Sequence, residues 1–342
     1  MNLEWIRELP APETVKLAMP VSLALREVKA RRDAAIRALF TGKEGRLLLI
    51  VGPCSADRQD AVLDYLTRLR ALEERVAEKI CIVPRVYTNK PRTTGEGYMG
   101  MLHQPDPAAG SDLYRGLLAS RGMHLRALEQ TGFVCADELL YPEDHAYLDD
   151  LLGYAAVGAR SVEDQQHRLT AGGLDIPVGM KNPTSGDLSV MLNAVAAAQR
   201  SHTFVYRGWA VRSAGNPLAH AILRGYTDRQ GRMRPNYSAG ELLRLRELYA
   251  KKAAQNRAVI VDCSHANSGK QYLEQIAVAK AVLQSRKNDP RLAVLVKGLM
   301  LESYLEDGAQ PVGGGCYGQS ITDPCLGWEK TRRLILELAE ML

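Results

Sequence analysis

Short apolar runs alternate with longer stretches whose apolar residues recur at helical spacing, from about residue 46 to the end of the chain. The runs 47–51, 80–86, 133–137, 156–159, 176–180, 220–223, 258–261 and 294–299 read as β-strands. Between them, residues 62–79 place Leu63, Leu66, Leu69, Leu72 and Val76 on one helical face. Residues 189–199, 240–255, 270–287 and 324–341 read the same way. Alternating β and α predicts a parallel sheet. About eight such units predict an α/β fold, a (β/α)8 TIM barrel over residues 46–342. A doubly wound open sheet fits the same alternation. Residues 201–213 break the rhythm and read as an inserted hairpin.

Residues 1–45 differ from the rest. Pro10, Pro12 and Pro20 cut the opening into short pieces, and 21–40 reads as a helix with Leu23, Leu25, Val28, Ala35 and Leu39 as its apolar positions. This N-terminal extension is either an oligomerisation or regulatory arm, or a helix that covers one end of the barrel.

Chemistry in such barrels occupies the C-terminal ends of the strands, and those ends carry the unusual residues here. Gly52-Pro53-Cys54-Ser55 follows the first strand, Asp262-Cys-Ser-His265 the seventh and Glu302-Ser303 the eighth. Arg85, Lys90, Arg92, Arg160, Lys181 and Arg224 end or follow others. Cations gathered on one rim repel by a few kcal/mol per close pair at an effective dielectric near 20, roughly estimated. Strongly anionic ligands offset that. Two phosphate monoesters and a carboxylate bring about four to five negative charges. Lys90-Pro91-Arg92-Thr93-Thr94 is a rigid corner with two cations and two hydroxyls, because Pro91 fixes its own φ and restricts Lys90. Cys54, His265 and Glu302, with Asp323 as a possible fourth, form a mixed S/N/O donor set that suits Mn, Fe, Co or Zn better than Mg or Ca. Taken singly, each reads first as structural: a buried thiol, a satisfied core histidine or a solvated carboxylate.

Composition narrows the partners. The net charge of +5 is mild, and no run interleaves Lys or Arg with aromatics, which argues against a single-strand nucleic-acid platform. The six cysteines form no CxxC pair, so a reducing, cytoplasmic setting is expected. No apolar run is long enough to cross a bilayer. Gly95-Glu-Gly97-Tyr-Met-Gly100 fits the dinucleotide pattern, but it follows a turn instead of a strand and runs into Pro105 and Pro107, so it reads as a glycine loop beside the site. His103, His145, His167, His202 and His220 read as core or surface histidines.

Taken together and in order, Gly52-Pro53-Cys54-Ser55, Arg85-Val86-Tyr87, Lys90-Pro91-Arg92-Thr93-Thr94, Gly158-Ala159-Arg160, Lys181-Asn182, Leu223-Arg224-Gly225, Asp262-Cys-Ser-His265-Ala-Asn-Ser268, Glu302-Ser303 and Ser320-Ile-Thr-Asp323-Pro-Cys325-Leu-Gly-Trp328 resemble the type I 3-deoxy-D-arabino-heptulosonate 7-phosphate (DAHP) synthases. That resemblance implies condensation of phosphoenolpyruvate with erythrose 4-phosphate, the first step of the shikimate pathway, on a metal-dependent barrel. It implies one divalent ion held by Cys54, His265, Glu302 and Asp323, with Cys54, His265 and Lys90 at the chemistry. Arg160 and Arg224 would clamp the phosphate of phosphoenolpyruvate. Arg85, Lys90, Lys181 and Ala159 would contact the rest of it, and Glu138 would reach it through water. Pro91, Arg92 and Thr93 would hold erythrose 4-phosphate. Lys90 is expected to assist proton transfer with a pKa lowered by desolvation among other cations. A homodimer or homotetramer and an aromatic amino-acid effector are also implied, with Pro142, Ala146 and Asp175 in the region of the effector pocket. A Cys54–Cys325 disulfide is expected in the metal-free protein. The chain departs from the pattern at Pro84 and Cys263, and Pro84 is expected to bulge its strand. The rival enzyme, 3-deoxy-octulosonate 8-phosphate synthase, has a different corner at Lys90-Pro91-Arg92-Thr93. A non-catalytic basic binding protein or a metabolite-sensing barrel are the other rivals.

Overall fold

A computed structural model describes residues 1–252 and 254–342. Eight parallel strands form one sheet: β1 (Leu47–Gly52), β2 (Ile80–Pro84), β3 (Ala136–Glu138), β4 (Tyr154–Val157), β5 (Val178–Lys181), β6 (His220–Leu223), β7 (Val259–Asp262) and β8 (Val296–Glu302). Their spatial order is β2-β1-β8-β7-β6-β5-β4-β3, so each pairs with its neighbour in sequence and β8 returns to β1. A parallel bridge between Arg85 and Ala136, with Val86 N–H donating to the Ala136 carbonyl at 2.9 Å, joins β2 to β3 and closes the (β/α)8 barrel. The open sheet is thereby excluded.

Alternation within each strand makes two cores. Leu47, Leu49 and Val51 of β1 face the helices, whereas Leu48 and Ile50 face the barrel interior with Val83, Tyr154, Ile222, Ile260 and Met300. Both faces are covered, so every residue of β1 is buried. Around the strands lie α1 (Pro12–Ala18), α2 (Leu23–Phe40), α3 (Gln59–Val76), α4 (Leu113–Thr131), α5 (Gln165–Ala171), α6 (Leu188–Ala198), α7 (Ala239–Ala250), α8 (Glu274–Asn288), α9 (Pro290–Leu295) and α10 (Trp328–Met341). Ile36, Leu39 and Phe40 of α2 join the interior core, and Phe40 lies 4.4 Å from the His220 ring at the start of β6. The second half of α2 therefore covers the end of the barrel where the strands begin. Residues 201–213 do form an antiparallel hairpin, Thr203–Tyr206 with Trp209–Arg212.

The strand readings were displaced at several ends. β2 stops at Pro84, but that proline stays in register with Val51 and causes no bulge, because the missing N–H falls at the last strand position. Phe133, Val134 and Cys135 precede β3 instead of forming it, and β4 begins two residues before 156. Val294 and Leu295 end α9, and β8 runs on to Glu302. The helix read over 270–287 starts at Glu274, and that over 324–341 at Trp328. The helix read over 240–255 ends at Ala250, and Ala253 lies outside the described residues.

Candidate active site

The connections that leave the C-terminal ends of the strands converge on a cleft of about 330 Å³. Its lining includes all ten expected substrate residues: Arg85, Lys90, Pro91, Arg92, Thr93, Glu138, Ala159, Arg160, Lys181 and Arg224. His265 and Asp323 line it too. Thr94 of the corner, Glu96 of the glycine loop and Gly158 line it as well, and Ser161, Thr184 and Lys270, which the motifs did not single out, complete the wall. Lys270 was within reach of sequence reasoning, since it is the next cation after His265 in the same connection. None of His103, His145, His167, His202 and His220 lines the cleft.

The Lys90 corner is built by neighbouring segments. Asp137 of β3 accepts from the Thr88 amide (2.9 Å), the Thr88 hydroxyl (2.6 Å) and the Glu138 amide (2.7 Å), and lies 3.0 Å from His124 Nε2. Lys90 N–H donates to the Met99 carbonyl, and Arg92 Nε to the Tyr98 carbonyl. The glycine loop 95–100 is thus the outer wall of the corner, with Gly95, Gly97 and Gly100 all at positive φ. Across the mouth, Asn182 Oδ1 accepts from the Arg224 amide at 2.9 Å and fixes the turn after β6. Gly158 lets Glu138 approach, for a Cβ there would sit 2.3 Å from Glu138 Oε1.

Under the cations lies the donor cluster. Cys54, Glu302 and Asp323 each offer a ligand atom, and these atoms lie within 4.8 Å of one another. His265 stands beside them outside that tight group. Its Nδ1 is 3.0 Å from Asp262 Oδ2 and 2.8 Å from the Ser264 hydroxyl, which leaves Nε2 as the nitrogen for a ligand. Lys90 Nζ lies 2.7 Å from Cys54 Sγ and 2.9 Å from Asp323 Oδ2, so a cation already sits among the donors. Burial, then the Glu302 carboxylate, pushes the Cys54 thiol up to about 11, so its thiolate needs a stronger positive partner than Lys90. A thiolate, two carboxylates and an imidazole fit one borderline divalent ion. The cysteines are free thiols, and Cys54 and Cys325 are both buried.

The Lys90 expectation is corrected. Burial lowers its pKa, but Cys54, Asp323 and Glu302 outweigh burial and drive it up. Asp323 shifts the other way: burial opposes ionisation, yet Lys90 holds the carboxyl well below the usual range. Within the cleft it is Lys181 whose pKa is depressed, by burial and by Arg85 and Arg224, with Asp262 3.6 Å away as partial compensation. Arg85 is also more committed than expected. It is buried, donates to the Pro53 and Cys54 carbonyls and pairs with Glu302 at 2.9 Å. Its Nη1 donates to the Met300 sulfur at 3.4 Å, and its Cζ lies 3.7 Å over the Tyr87 ring. Arg224 is lowered by burial and by the nearby Arg160, with Asp262, Glu302 and Glu138 opposing them.

A closed parallel barrel whose strand ends gather seven cations over a thiol, imidazole and carboxylate cluster defines an α/β-barrel enzyme built for small anionic substrates. Sequence comparison gives the family directly. The pattern of the DAHP synthetase I family matches residues 25–336, and the chain belongs to that family. It is 38% identical over 339 residues to the Tyr-sensitive phospho-2-dehydro-3-deoxyheptonate aldolase of Salmonella typhimurium, spanning 96% of this chain and 92% of the relative. It is 36% identical over 347 residues to the Phe-sensitive enzyme of Escherichia coli, spanning 99% and 96%. The phospho-2-dehydro-3-deoxyheptonate aldolase structure from Francisella tularensis superposes with a TM-score of 0.91 at 31% identity, over 99% of this chain and 98% of that one.

Proposed function

We propose that the cleft condenses phosphoenolpyruvate with erythrose 4-phosphate and water to give DAHP and phosphate, with the residue roles that follow. The support for this reading is that every substrate residue expected from the motifs lines one cleft, directly above Cys54, Glu302 and Asp323. Arg160 and Arg224 hold the phosphate of phosphoenolpyruvate, relieving the repulsion between them. Lys181 faces its carboxylate. Arg85 acts from behind, fixing Glu302 and the Cys54 backbone. Glu138 holds a water for C2. Arg92, with Pro91 and Thr93, holds the phosphate of erythrose 4-phosphate.

Cys54, His265, Glu302 and Asp323 would hold one divalent ion, from among Mn, Fe, Co and Zn, which when bound supplies Lewis-acid polarisation of the aldehyde. C3 of phosphoenolpyruvate attacks the aldehyde carbon and forms the new C–C bond. The protonated Lys90 stands within the cluster and gives the aldehyde oxygen its proton. Water adds at C2, and the C2–O bond to phosphate breaks, releasing inorganic phosphate and leaving the ketose.

Regulation and assembly belong to the same reading. A groove of about 1370 Å³ lies between α1, α2, the end of α5 and the hairpin, and Ala146 and Asp175 line it. Pro142 borders it through its carbonyl, which accepts from the Tyr206 hydroxyl. Relatives are described as Tyr-, Phe- and Trp-sensitive, which supports an aromatic amino acid as occupant. Leu3, Trp5 and Ile6 of the extension, with Val205 and Trp209 of the hairpin, are exposed apolar residues that suit a second copy of the chain. No helix of the described residues is long and apolar enough to cross a membrane. The test is phosphate release with both substrates, then with Phe, Tyr and Trp added singly. Release that needs both substrates supports the reading; release from phosphoenolpyruvate alone contradicts it.

A further inference from the structure

Seven cations line the cleft, and three are neutralised from within: Arg85 by Glu302, Lys90 by Asp323 and Lys181 by Asp262. Arg92, Arg160, Arg224 and Lys270 have no ion-pair partner among the described residues. Two phosphate monoesters carry about three to four negative charges at neutral pH. Three of the four free cations have roles above. Lys270 has none.

Its backbone is unusual. Among the described residues only three non-glycines have left-handed φ, and two share this connection: His265 at +53° and Lys270 at +61°. Lys270 N–H donates to the His265 carbonyl at 2.8 Å, closing the turn that presents the imidazole. Gly269, at +58°, takes the same backbone without strain. A glycine at 270 would do so too, whereas lysine there is strained. The turn alone does not account for the side chain. The residue is exposed, and the connection leaves β7, between Arg224 after β6 and Glu302 at the end of β8. Lys270 therefore borders both the arginine pair and the donor cluster.

We propose that Lys270 is a substrate-binding residue whose ammonium holds a phosphoryl group of one of the two substrates, matching four free cations to two phosphates. The proposal rests on the two-phosphate reading above.

Kinetics of Lys270→Arg, Lys270→Met and Lys270→Gly, each substrate varied at saturation of the other, test it. Loss of one charge-assisted hydrogen bond predicts a KM raised about tenfold to a hundredfold for one substrate in the Met and Gly variants. The kcat stays within about threefold, and the Arg variant stays near wild type. The substrate whose KM moves identifies the phosphate held. Calorimetric titration with inorganic phosphate should weaken in the Met and Gly variants alone. If Lys270→Gly keeps both KM values and the phosphate affinity of the wild type, Lys270 is a turn residue and the proposal fails. Loss of kcat alone in all three variants also overturns it. A wild-type protein that releases no phosphate from the two substrates defeats the underlying reading, while the phosphate titration still reports on Lys270.

Discussion

Asp137 offers the sharpest test of how the barrel positions its chemistry. It is 3% exposed and does not line the cleft, yet it accepts from the Thr88 and Glu138 amides and the Thr88 hydroxyl, beside His124. Asp137→Ala strands at least two buried amides, each costing about 1–3 kcal/mol, or about 2–6 kcal/mol together. At about 2 cal/mol/K per residue of unfolding entropy, 342 residues turn that into a Tm lower by about 3–8 °C. Asp137→Asn keeps the oxygen that serves both amides and loses mainly the charge facing Thr88 and His124, so it should cost about 1 kcal/mol. The freed segment carries Lys90 and Arg92, and misplacement of about 1 Å can cost about a hundredfold in rate. Asp137→Ala should therefore lower kcat/KM about tenfold to a hundredfold, and Asp137→Asn much less. Thermal unfolding and a phosphate-release assay on both variants decide this. An Ala variant with an unchanged Tm and turnover within about twofold of wild type would refute the reasoning.

Two further outcomes follow from the same geometry. Asp144 is driven up to about 7 by burial, then by Glu143 and Asp137, and its Oδ2 is buried without a partner. Its folded pKa exceeds the unfolded value, so the folded state holds the proton longer and stability falls as pH rises from about 4 to about 7. Asp144→Asn should exceed wild type in Tm at pH 8, by a margin that shrinks at pH 5; a margin independent of pH would refute the assignment. Gly158→Ala places a Cβ where Glu138 Oε1 lies, and should raise the KM for phosphoenolpyruvate several-fold, about 1 kcal/mol, with little change in Tm. Unchanged KM would remove Glu138 from the substrate site.

The barrel was legible because its period of strand and helix survives in single residues. The β1 run of Leu and Val and the α3 spacing of Leu63, Leu66, Leu69 and Leu72 each point to one element. α4 was not legible, because its buried face includes Gly116, Arg121, Gly122 and His124, which break any apolar stripe. Arg121 is buried because Asp150 pairs with it and the Met19 and Tyr147 carbonyls accept from it, all from other segments. The same holds in the site. The cations were visible as charges ending apolar runs, but which were free was not, since Glu302, Asp323 and Asp262 arrive from the far end of the chain. The sign of the Lys90 shift failed for that reason. A count of neighbouring cations omitted Cys54, Asp323 and Glu302, which the fold places closer.

The central claim is that the Cys54 thiolate, with His265, Glu302 and Asp323, binds a single divalent ion beneath the cationic cleft. X-ray absorption on protein loaded with one equivalent of zinc measures this directly. One sulfur at about 2.3 Å with nitrogen and oxygen ligands at about 2.0–2.2 Å is the predicted shell, and the sulfur should vanish in Cys54→Ser. A shell with no sulfur, or one unchanged by Cys54→Ser, would contradict the account.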